Sequence, residues 1–341
     1  MGSVVEVAQL ADVSPATVSR VLSGSSHPVA AETRQRVLRA AEELHFLPNM
    51  LARGLATSRT YTVGAIVHDI ADPYFAEIVR GIEDHSHLRD YRVFVCSSDR
   101  DPSRELGYVR ALIGHRVDGI VFAGGGIEER RYLSELSPTL AAYESQGGAV
   151  VTLAPHGYRA PAVLADNRGG ASAMTRHLIS LGHRRIVHVA GPAHVRTSSV
   201  RLGGYRSALE EAGLGFDPDL VVAGDFKTDV AADAVGRLLD RRADWTAVFA
   251  ASDVMAFGVL HELAKRGIRV PEDVSVAGFD DIQMSAYVQT PLTTVHVAMY
   301  EMGSEAVDML LQIRDGARPR SKRLPTTVIQ RVSTASPPAR R

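Results

Sequence analysis

Cysteine and long apolar runs are scarce in this sequence, and their scarcity excludes several classes of protein. The 341 residues contain one cysteine, Cys96, so no internal disulfide can form and a disulfide-stabilised domain is excluded. Cys96 lies in an apolar run, where we expect a small buried side chain rather than a reactive thiol. No stretch approaches the ~20 consecutive apolar residues of a membrane-spanning helix. The first residues lack the basic and apolar segments of a secretory signal, so we expect a cytoplasmic protein.

The composition is that of a folded protein, but its charge says little about a partner. Hydrophobic residues make up 45% of the chain and charged residues 23%, proportions typical of globular domains. A chain of this length suits two or three folding units. Residues 1–60 hold six arginines and five acidic residues, a net charge of +1. Net charge therefore gives no sign of nucleic-acid binding. Whether this segment binds DNA has to be judged from the pattern of its residues.

The start of the chain has the pattern of two short helices joined by a turn. Apolar residues recur at helical spacing from Val4 to Leu10, and residues 11–14 then form a turn. Ser14 is a favoured N-cap and Pro15 suits the first helical position, so a second helix is predicted to begin there. This arrangement is typical of a helix-turn-helix, whose second helix enters the major groove of DNA. An ordinary helical hairpin with a solvated polar face is the alternative.

The second predicted helix carries polar side chains that suit DNA. The hydroxyls of Thr17 and Ser19 can bond to phosphate oxygens and fix the register of the helix. The guanidinium of Arg20 can donate two hydrogen bonds to O6 and N7 of a guanine. These residue types favour the helix-turn-helix interpretation.

From residue 61 onward, apolar runs of strand length alternate with helical segments. The runs are 63–67, 93–96, 119–122, 149–153, 186–190, 220–223, 247–250 and 274–278. Helical patterns between them include 75–88, 103–113, 171–181, 201–212 and 254–265. This alternation predicts two parallel sheets covered by helices on both faces. Ligands of such sheets bind in the cleft outside the carboxyl ends of the strands.

Longer strings, in their order along the chain, resemble the lac-repressor/galactose-repressor (LacI/GalR) family of transcription factors. The head contains VAQLADVSPATVSRVLSG, ETRQRVLRAAEEL and PNMLARGL. The rest contains DIADPYFAEIVRGIED, HLISLGHRRIVHVAGP, AASDVMAFGVL and SVAGFDDIQMSAYVQTPLTTV. The resemblance implies an all-α helix-turn-helix head and a hinge. Two Rossmann-like α/β lobes of the periplasmic-binding-protein type would follow.

The resemblance also implies domain boundaries. They are a DNA-binding head at 1–46, a hinge helix and linker at 47–60, an effector-binding and dimerisation core at 61–335, and a tail at 336–341. Lobe 1 would comprise about 61–163 and 292–320, and lobe 2 about 164–291 and 321–335. The tail has no leucine heptads, so we expect no tetramerising coil.

Residues of the head and hinge are assigned to DNA by this resemblance. Those on the recognition helix are Ser14, Pro15, Ala16, Thr17, Ser19 and Arg20. In the hinge they are Ala52 and Leu55, and Leu55 would wedge between base pairs in the minor groove. Packing of Leu55 under the head is the alternative.

Two residues of the head depart from the family pattern. Asp12 stands where the family has a turn glycine, and aspartate tolerates a left-handed conformation better than most residues. Ala30 replaces the usual polar cap of the third helix, which we expect to cost that helix ~1 kcal/mol.

Six residues of the core are assigned to an effector by the same resemblance. They are Tyr74, Phe75, Arg201, Ser252, Asp253 and Asp280. Arginine donors and carboxylate acceptors suit hydroxyl and carboxylate groups of a small molecule. The alternatives are salt bridges, caps and core aromatics. Ala154 and Ser252 replace an aspartate and an asparagine that many relatives carry, so the usual sugar-binding set is incomplete.

The function expected from the resemblance is a repressor that binds a palindromic operator as a homodimer and responds to a small-molecule effector, such as a sugar or related metabolite. A solute-binding protein of the transport type and an α/β enzyme are the alternatives. The triplet Gly124-Gly125-Gly126 completes no phosphate-binding motif, and we expect it to form a flexible cleft loop. His85, His87, His183 and His188 lack metal-ligand companions, and we expect solvated or capping histidines. No catalytic constellation, metal or cofactor is expected.

Overall fold

A computed structural model describes residues 3–23, 28–46, 59–127, 129–242 and 244–338. The chain divides into two compact units near Tyr61. The smaller unit is the head and the larger unit is the body, and each is described by itself below. None of the helices in the described part of the chain is long and apolar enough to cross a membrane.

Three helices form the head around a small apolar core. They are α1 (Val4–Leu10), α2 (Pro15–Ser23) and α3 (Ala31–Glu43). The buried core consists of side chains from all three: Val7, Ala8, Ala11, Val18, Val21, Val37, Ala40 and Ala41. Because these side chains are short, α1 and α2 can pack closely against each other and against α3.

Local signals set the ends of the head helices. Asp12 lies in the turn with a φ of 51°, so aspartate does adopt the left-handed conformation there. Ser14 Oγ accepts a hydrogen bond from Thr17 N at 3.2 Å and thereby caps α2. Ala30 precedes α3 without any side-chain cap, as the sequence predicts.

The body contains two four-stranded parallel sheets. The strands of the first, in spatial order, are β2 (Arg92–Ser97), β1 (Thr62–Val67), β3 (Gly119–Phe122) and β4 (Ala149–Thr152). Those of the second are β7 (Val221–Ala223), β6 (Ile186–Ala190), β8 (Ala247–Ala250) and β9 (Ser275–Ala277). All eight strands correspond to the apolar runs of the sequence. The near-continuous burial of six of them, all but β2 and β7, is typical of sheets covered on both faces.

Helices cover these sheets, and short strand pairs join them. The helices are α4 (Pro73–His87), α5 (Pro102–Gly114), α6 (Arg130–Ser145), α7 (Asn167–Ser180), α8 (Arg196–Glu211), α9 (Thr228–Arg241), α10 (Asp253–Lys265) and α11 (Met299–Arg314). The short strands are β5 (Val163–Ala165), β10 (Thr294–Val297), β11 (Lys322–Leu324) and β12 (Thr326–Ile329). The pairs are β5 with β11, parallel, and β10 with β12, antiparallel.

The chain passes between the two lobes more than once. The last helix, α11, packs against α4, β3 and β4 and so belongs to lobe 1, whose sheet contains β1–β4. By contrast, β12 packs against α7 in lobe 2, whose sheet contains β6–β9. Each lobe is therefore built from separated stretches of chain, which ties the two lobes together.

One expectation about burial is wrong. Strand β2 forms the edge of the first sheet, and its side chains are largely exposed. Cys96 is consequently only half-buried, whereas Phe94 and Val95 are 46% and 38% exposed. An apolar run marks a strand but does not say whether that strand lies inside a sheet or at its edge, because the run alone does not fix its neighbours.

Candidate functional site

Helix α2 presents an exposed polar face beside its buried one. Val18 and Val21 are buried in the core of the head. The side chains assigned to DNA lie at the start of the helix or away from that core: Ser14, Pro15, Ala16, Ser19 and Arg20 are exposed, and Thr17 is half-buried. The structure therefore leaves all six at least partly accessible.

Hydrogen bonds within the head already involve two of these hydroxyls. Ser14 Oγ lies 2.9 Å from Thr17 Oγ1, in addition to accepting from Thr17 N. Both hydroxyls thus help to begin the helix, and each keeps further capacity for a hydrogen bond. Ala52 and Leu55, the hinge residues assigned to DNA, lie outside the described residues.

The body contains a cleft between its two lobes, with about 440 Å³ of empty space, part of it open to solvent. The lobe 1 wall consists of His68, Asp72, Tyr74, Phe75, Arg100, Ala123, Gly125 and Ala154. The lobe 2 wall consists of Val195, Thr197, Arg201, Phe226, Ser252 and Asp280. Most of these residues closely follow the carboxyl end of a parallel strand, where ligands of open α/β sheets bind.

Arg201 is a buried member of the lobe 2 wall, with 3% of its surface exposed. Its Nε donates to Asn167 Oδ1 at 2.8 Å, and its Nη1 donates to the carbonyl of Ala251. Its Nη2 lies 2.9 Å from Asp280 Oδ1. The guanidinium also stacks on Phe279, with Cζ 3.8 Å from the ring centroid. Arg201 therefore joins several parts of the lobe 2 wall.

Asp280 lies beside Arg201 in an unusual backbone conformation. Its φ of 115° falls in the region that favours glycine. The backbone is held there by hydrogen bonds from Asp280 N to Val295 O and from Val297 N to Asp280 O. Burial raises the pKa of the Asp280 carboxyl well above its usual range, and the adjacent Arg201 opposes that shift. Strained residues of this kind concentrate at binding sites.

Tyr74 and Phe75 lie at the start of α4. Asp72 Oδ1 accepts from Tyr74 N at 3.0 Å and caps the helix, with Pro73 at its first position. The two rings meet edge to face, 5.1 Å between centroids. Burial raises the pKa of the Tyr74 phenol, so this hydroxyl remains protonated at neutral pH. The pair offers a ligand an apolar surface with one hydroxyl.

Ser252 and Asp253 are neighbours in sequence but have different surroundings. Ser252 lines the cleft and its hydroxyl accepts from Met255 N, capping α10. The Asp253 carboxylate is fully buried and accepts hydrogen bonds from Ile282 N, Ser285 Oγ and Thr294 Oγ1. The structure does not place Asp253 among the residues that line the cleft. Its carboxylate joins the start of α10 to the loop after β9 and to β10.

Seven lining residues were not singled out from the sequence: His68, Asp72, Arg100, Ala123, Val195, Thr197 and Phe226. His68 and Arg100 follow β1 and β2, and Phe226 follows β7, so each stands just beyond a strand that the sequence does predict. The rule that ligands bind beyond the carboxyl ends of parallel strands could have identified them. Arg100 and Phe226 face each other across the cleft, with Arg100 Cζ 5.5 Å from the ring centroid.

The glycine triplet after β3 packs closely against its neighbours. A Cβ at Gly124 would lie 2.3 Å from the His68 ring, and one at Gly126 would lie 2.7 Å from the backbone of His156. These glycines are needed for space, because none of the triplet has a positive φ. The expectation of a flexible loop without such constraints misses this packing.

The histidines separate into surface and buried residues. His85 is near the surface and lies 3.0 Å from Asp308, and His87 is exposed. His183 and His188 are buried, so the expectation of solvated histidines is wrong for them. His183 bonds to the hydroxyls of Thr246 and Ser275, and His188 stacks on Tyr205. In the described residues no group of acidic, histidine or cysteine side chains could hold a metal ion.

Comparison with protein families matches two parts of the chain. Residues 3–49 match the model for bacterial regulatory proteins of the lacI family. Residues 175–334 match the model for a periplasmic binding protein-like domain. These segments cover most of the head and, from α7 onward, nearly all of lobe 2 and the lobe 1 helix α11.

Whole-length relatives agree with both matches. The HTH-type transcriptional repressor PurR of Aliivibrio salmonicida is 33% identical over 312 residues, covering 92% of each chain. A structure of the lac repressor dimer bound to operator and the anti-inducer ONPF is 27% identical, with a TM-score of 0.83 and coverage of 98% of this chain and 99% of that one. A complex of the transcriptional regulator CelR with cellobiose is 35% identical, with a TM-score of 0.71 and coverage of 98% and 100%. This chain belongs to the LacI family of bacterial transcriptional regulators.

Proposed function

We propose that this regulator is a repressor that binds a palindromic operator as a homodimer and responds to a small molecule bound in the cleft of the body. The main support for this proposal is a single observation. A single chain combines an accessible helix-turn-helix face with a cleft lined by buried polar and aromatic side chains. A transport-type solute-binding protein has no use for the first feature, and the family of this chain comprises regulators rather than enzymes.

The DNA-reading role rests on the exposed face of α2. Pro15, Ala16 and Arg20 would face bases, and Ser14, Thr17 and Ser19 would contact phosphates. Arg20 is the only long cationic side chain on this helix, so it carries the strongest base contact. Ala52 and Leu55 remain proposed hinge contacts, with Leu55 as the minor-groove wedge.

The effector role rests on the two walls of the cleft. Arg201 and Asp280 would bind hydroxyl or carboxylate groups, while Tyr74 and Phe75 would cover an apolar face of the ligand. Ser252 would add a hydroxyl. Asp253 would act through α10, whose start it fixes, rather than by touching the ligand. A ligand that spans both walls favours one relative orientation of the lobes, which is how such a cleft can affect DNA binding.

Dimerisation is supported by the exposed edge of the first sheet. Strand β2 leaves one edge unpaired by any other strand of the described chain. Its Phe94 and Val95 are exposed, and so is the nearby Leu88 at the end of α4. Apolar side chains on an open strand edge are unfavourable in a monomer. A second copy of the chain, related by a two-fold axis, would cover them and would match a palindromic operator.

Selection from a pool of random duplexes tests the DNA-reading role. The full-length protein should enrich a palindromic site, and Arg20→Ala should lose ~1–3 kcal/mol of specific binding and relax one base preference in each half-site. Identical base preferences for the variant and the wild type would refute the assignment of Arg20. Enrichment of no common site would refute sequence-specific binding.

Sedimentation tests the dimer surface. Phe94→Glu should shift the protein toward monomer at micromolar concentration, because a charge would be buried between the copies. Val332→Glu is the matched control, since Val332 is 56% exposed in lobe 2. Equal sedimentation of both variants and the wild type would contradict the proposed surface.

A further inference from the structure

The two walls of the cleft differ in how their charges are matched. On the lobe 2 wall, Arg201 is paired with Asp280 at 2.9 Å. On the lobe 1 wall, Arg100 forms no ion pair and no hydrogen bond within the described residues. Its guanidinium lies over the ring of Phe226 in a cation–π contact. Its Nε is buried from solvent without a partner. A partly buried guanidinium with an unsatisfied N–H group is unfavourable, so a ligand that accepts hydrogen bonds from Arg100 would bind favourably.

A second nitrogen of the same wall lacks a partner. His68 has 3% of its surface exposed, and its Nε2 makes no hydrogen bond of good geometry within the described residues, although the backbone of Gly125 is close enough to affect its pKa. Burial lowers the pKa of His68 to about 4, so the ring is neutral near pH 7. Arg100 is therefore the formal positive charge of the lobe 1 wall, and His68 adds an unsatisfied polar atom beside it.

The acidic groups near this wall, Asp72 and Glu105, form no ion pair with Arg100 within the described residues. The Asp72 carboxylate caps α4 through Tyr74 N, and burial raises its pKa, although the charge of Arg100 opposes that shift. Ala154, which lines the same wall, contributes only a methyl group. Arg100 therefore has no ion-pair partner among the described residues, although it lies in a partly enclosed space. Such a space strengthens the attraction of an anion, because little water remains to screen it.

We propose that the effector carries an anionic oxygen group, a carboxylate or a phosphate, which Arg100 binds on the lobe 1 wall beside His68. This inference rests on the proposed function, since it names the chemistry of the ligand in the same cleft. Arginine presents paired donors that match both anions in a bidentate manner. The rest of the ligand would lie between the aromatic rings and the Arg201–Asp280 pair.

Calorimetric titration of the full-length protein with inorganic phosphate and with acetate tests the proposal, with sodium chloride at matched ionic strength as the reference. At least one anion should bind the wild type, and Arg100→Gln should weaken that binding about tenfold or more. Arg100→Lys should retain part of the affinity, because it keeps the charge without the paired donors. Binding of phosphate alone would identify a phosphate ligand, and binding of acetate alone a carboxylate.

Arg104→Gln is the matched control. Arg104 lies four residues further along the chain, near the start of α5. It is about half exposed and does not line the cleft. Removing its charge should change anion affinity by less than about twofold, since exposed charges are screened. The proposal is overturned if neither anion binds the wild type above the chloride reference, or if Arg100→Gln binds as tightly as the wild type. A protein that binds the anion but selects no operator would instead refute the proposed function.

Discussion

The head and the body organise their candidate binding residues in opposite ways. In the head, six such residues lie within seven positions of one helix and its cap, and most are exposed. In the body, the cleft is assembled from residues far apart in sequence, and several are buried and bonded to one another. Mutation of a residue in the head should therefore affect DNA binding with little effect on folding. Mutation in the cleft should affect binding and stability together.

Arg201→Ala should give the largest effect on stability. It removes the partner of the buried Asp280 carboxylate and the hydrogen bonds to Asn167 and Ala251. We expect the free energy of unfolding of the body to fall by ~3–5 kcal/mol, because a buried charge would lose its partner. Urea unfolding followed by fluorescence of Trp245, the one tryptophan of the chain, measures it from within lobe 2.

A neighbouring arginine provides the comparison. Arg206 lies on the same helix, is mostly exposed, and pairs with Glu210 one turn away. Arg206→Ala should cost no more than ~1 kcal/mol. If Arg201→Ala were no more destabilising than Arg206→Ala, the buried pair would not organise the wall as described. In the double variant Arg201→Ala with Asp280→Ala, the loss should be smaller than the sum of the two single losses.

Asp253→Asn should alter the dependence of stability on pH. Burial raises the pKa of Asp253 to about 7 from its ordinary 3.8, so the folded protein keeps a proton that the unfolded chain releases. The stability that this group contributes is therefore full below pH 4 and is lost as the pH rises to 7, by on the order of 2–4 kcal/mol. The free energy of unfolding of wild type relative to Asp253→Asn should fall over this range. A constant difference would contradict the raised pKa of this buried carboxyl.

Ser14→Ala should give the smallest effect, confined to the head. It removes the cap of α2, which we expect to cost ~1 kcal/mol in the stability of the head. Hydrogen exchange of the α2 amides in the full-length protein measures this local loss. Ser19→Ala is the control, because Ser19 is exposed on the same helix and caps nothing. Equal protection of α2 in both variants would show that Ser14 is not a working cap.

Local signals made the head and the strands of the body predictable. Ser14, Pro15 and the left-handed Asp12 act within a few residues, so the helix boundaries follow from the sequence. The apolar runs predicted all eight strands of the two large sheets. For most of these strands the run reflects burial on both faces, whereas β2 is exposed at the sheet edge. The short pairs β5–β11 and β10–β12 were not predicted, since segments of three or four residues carry little pattern.

What the sequence did not predict depends on packing between distant segments. The exposure of Cys96 follows from the edge position of β2, which its own residues do not determine. The direction of the Asp253 carboxylate depends on Ser285 and Thr294, which are more than thirty positions away. Arg100 was not singled out because its significance appears only when the charges of both walls are compared.

The most direct test of the account is whether blocking the cleft abolishes control of DNA binding. Thr197 lines the cleft at the start of α8, so Thr197→Trp should fill part of the space. Ser199→Trp, two residues further along the same helix, is exposed and absent from the lining, and it serves as the control.

The measurement is a titration of the selected operator with full-length protein, with and without the small-molecule fraction of a cell extract. The fraction should shift the midpoint for the wild type and Ser199→Trp by about 5–150-fold, the range of typical allosteric coupling. Thr197→Trp should bind the operator with an unchanged midpoint whether or not the fraction is present. An equal shift in all three proteins, or no shift in any, would contradict control of DNA binding through this cleft.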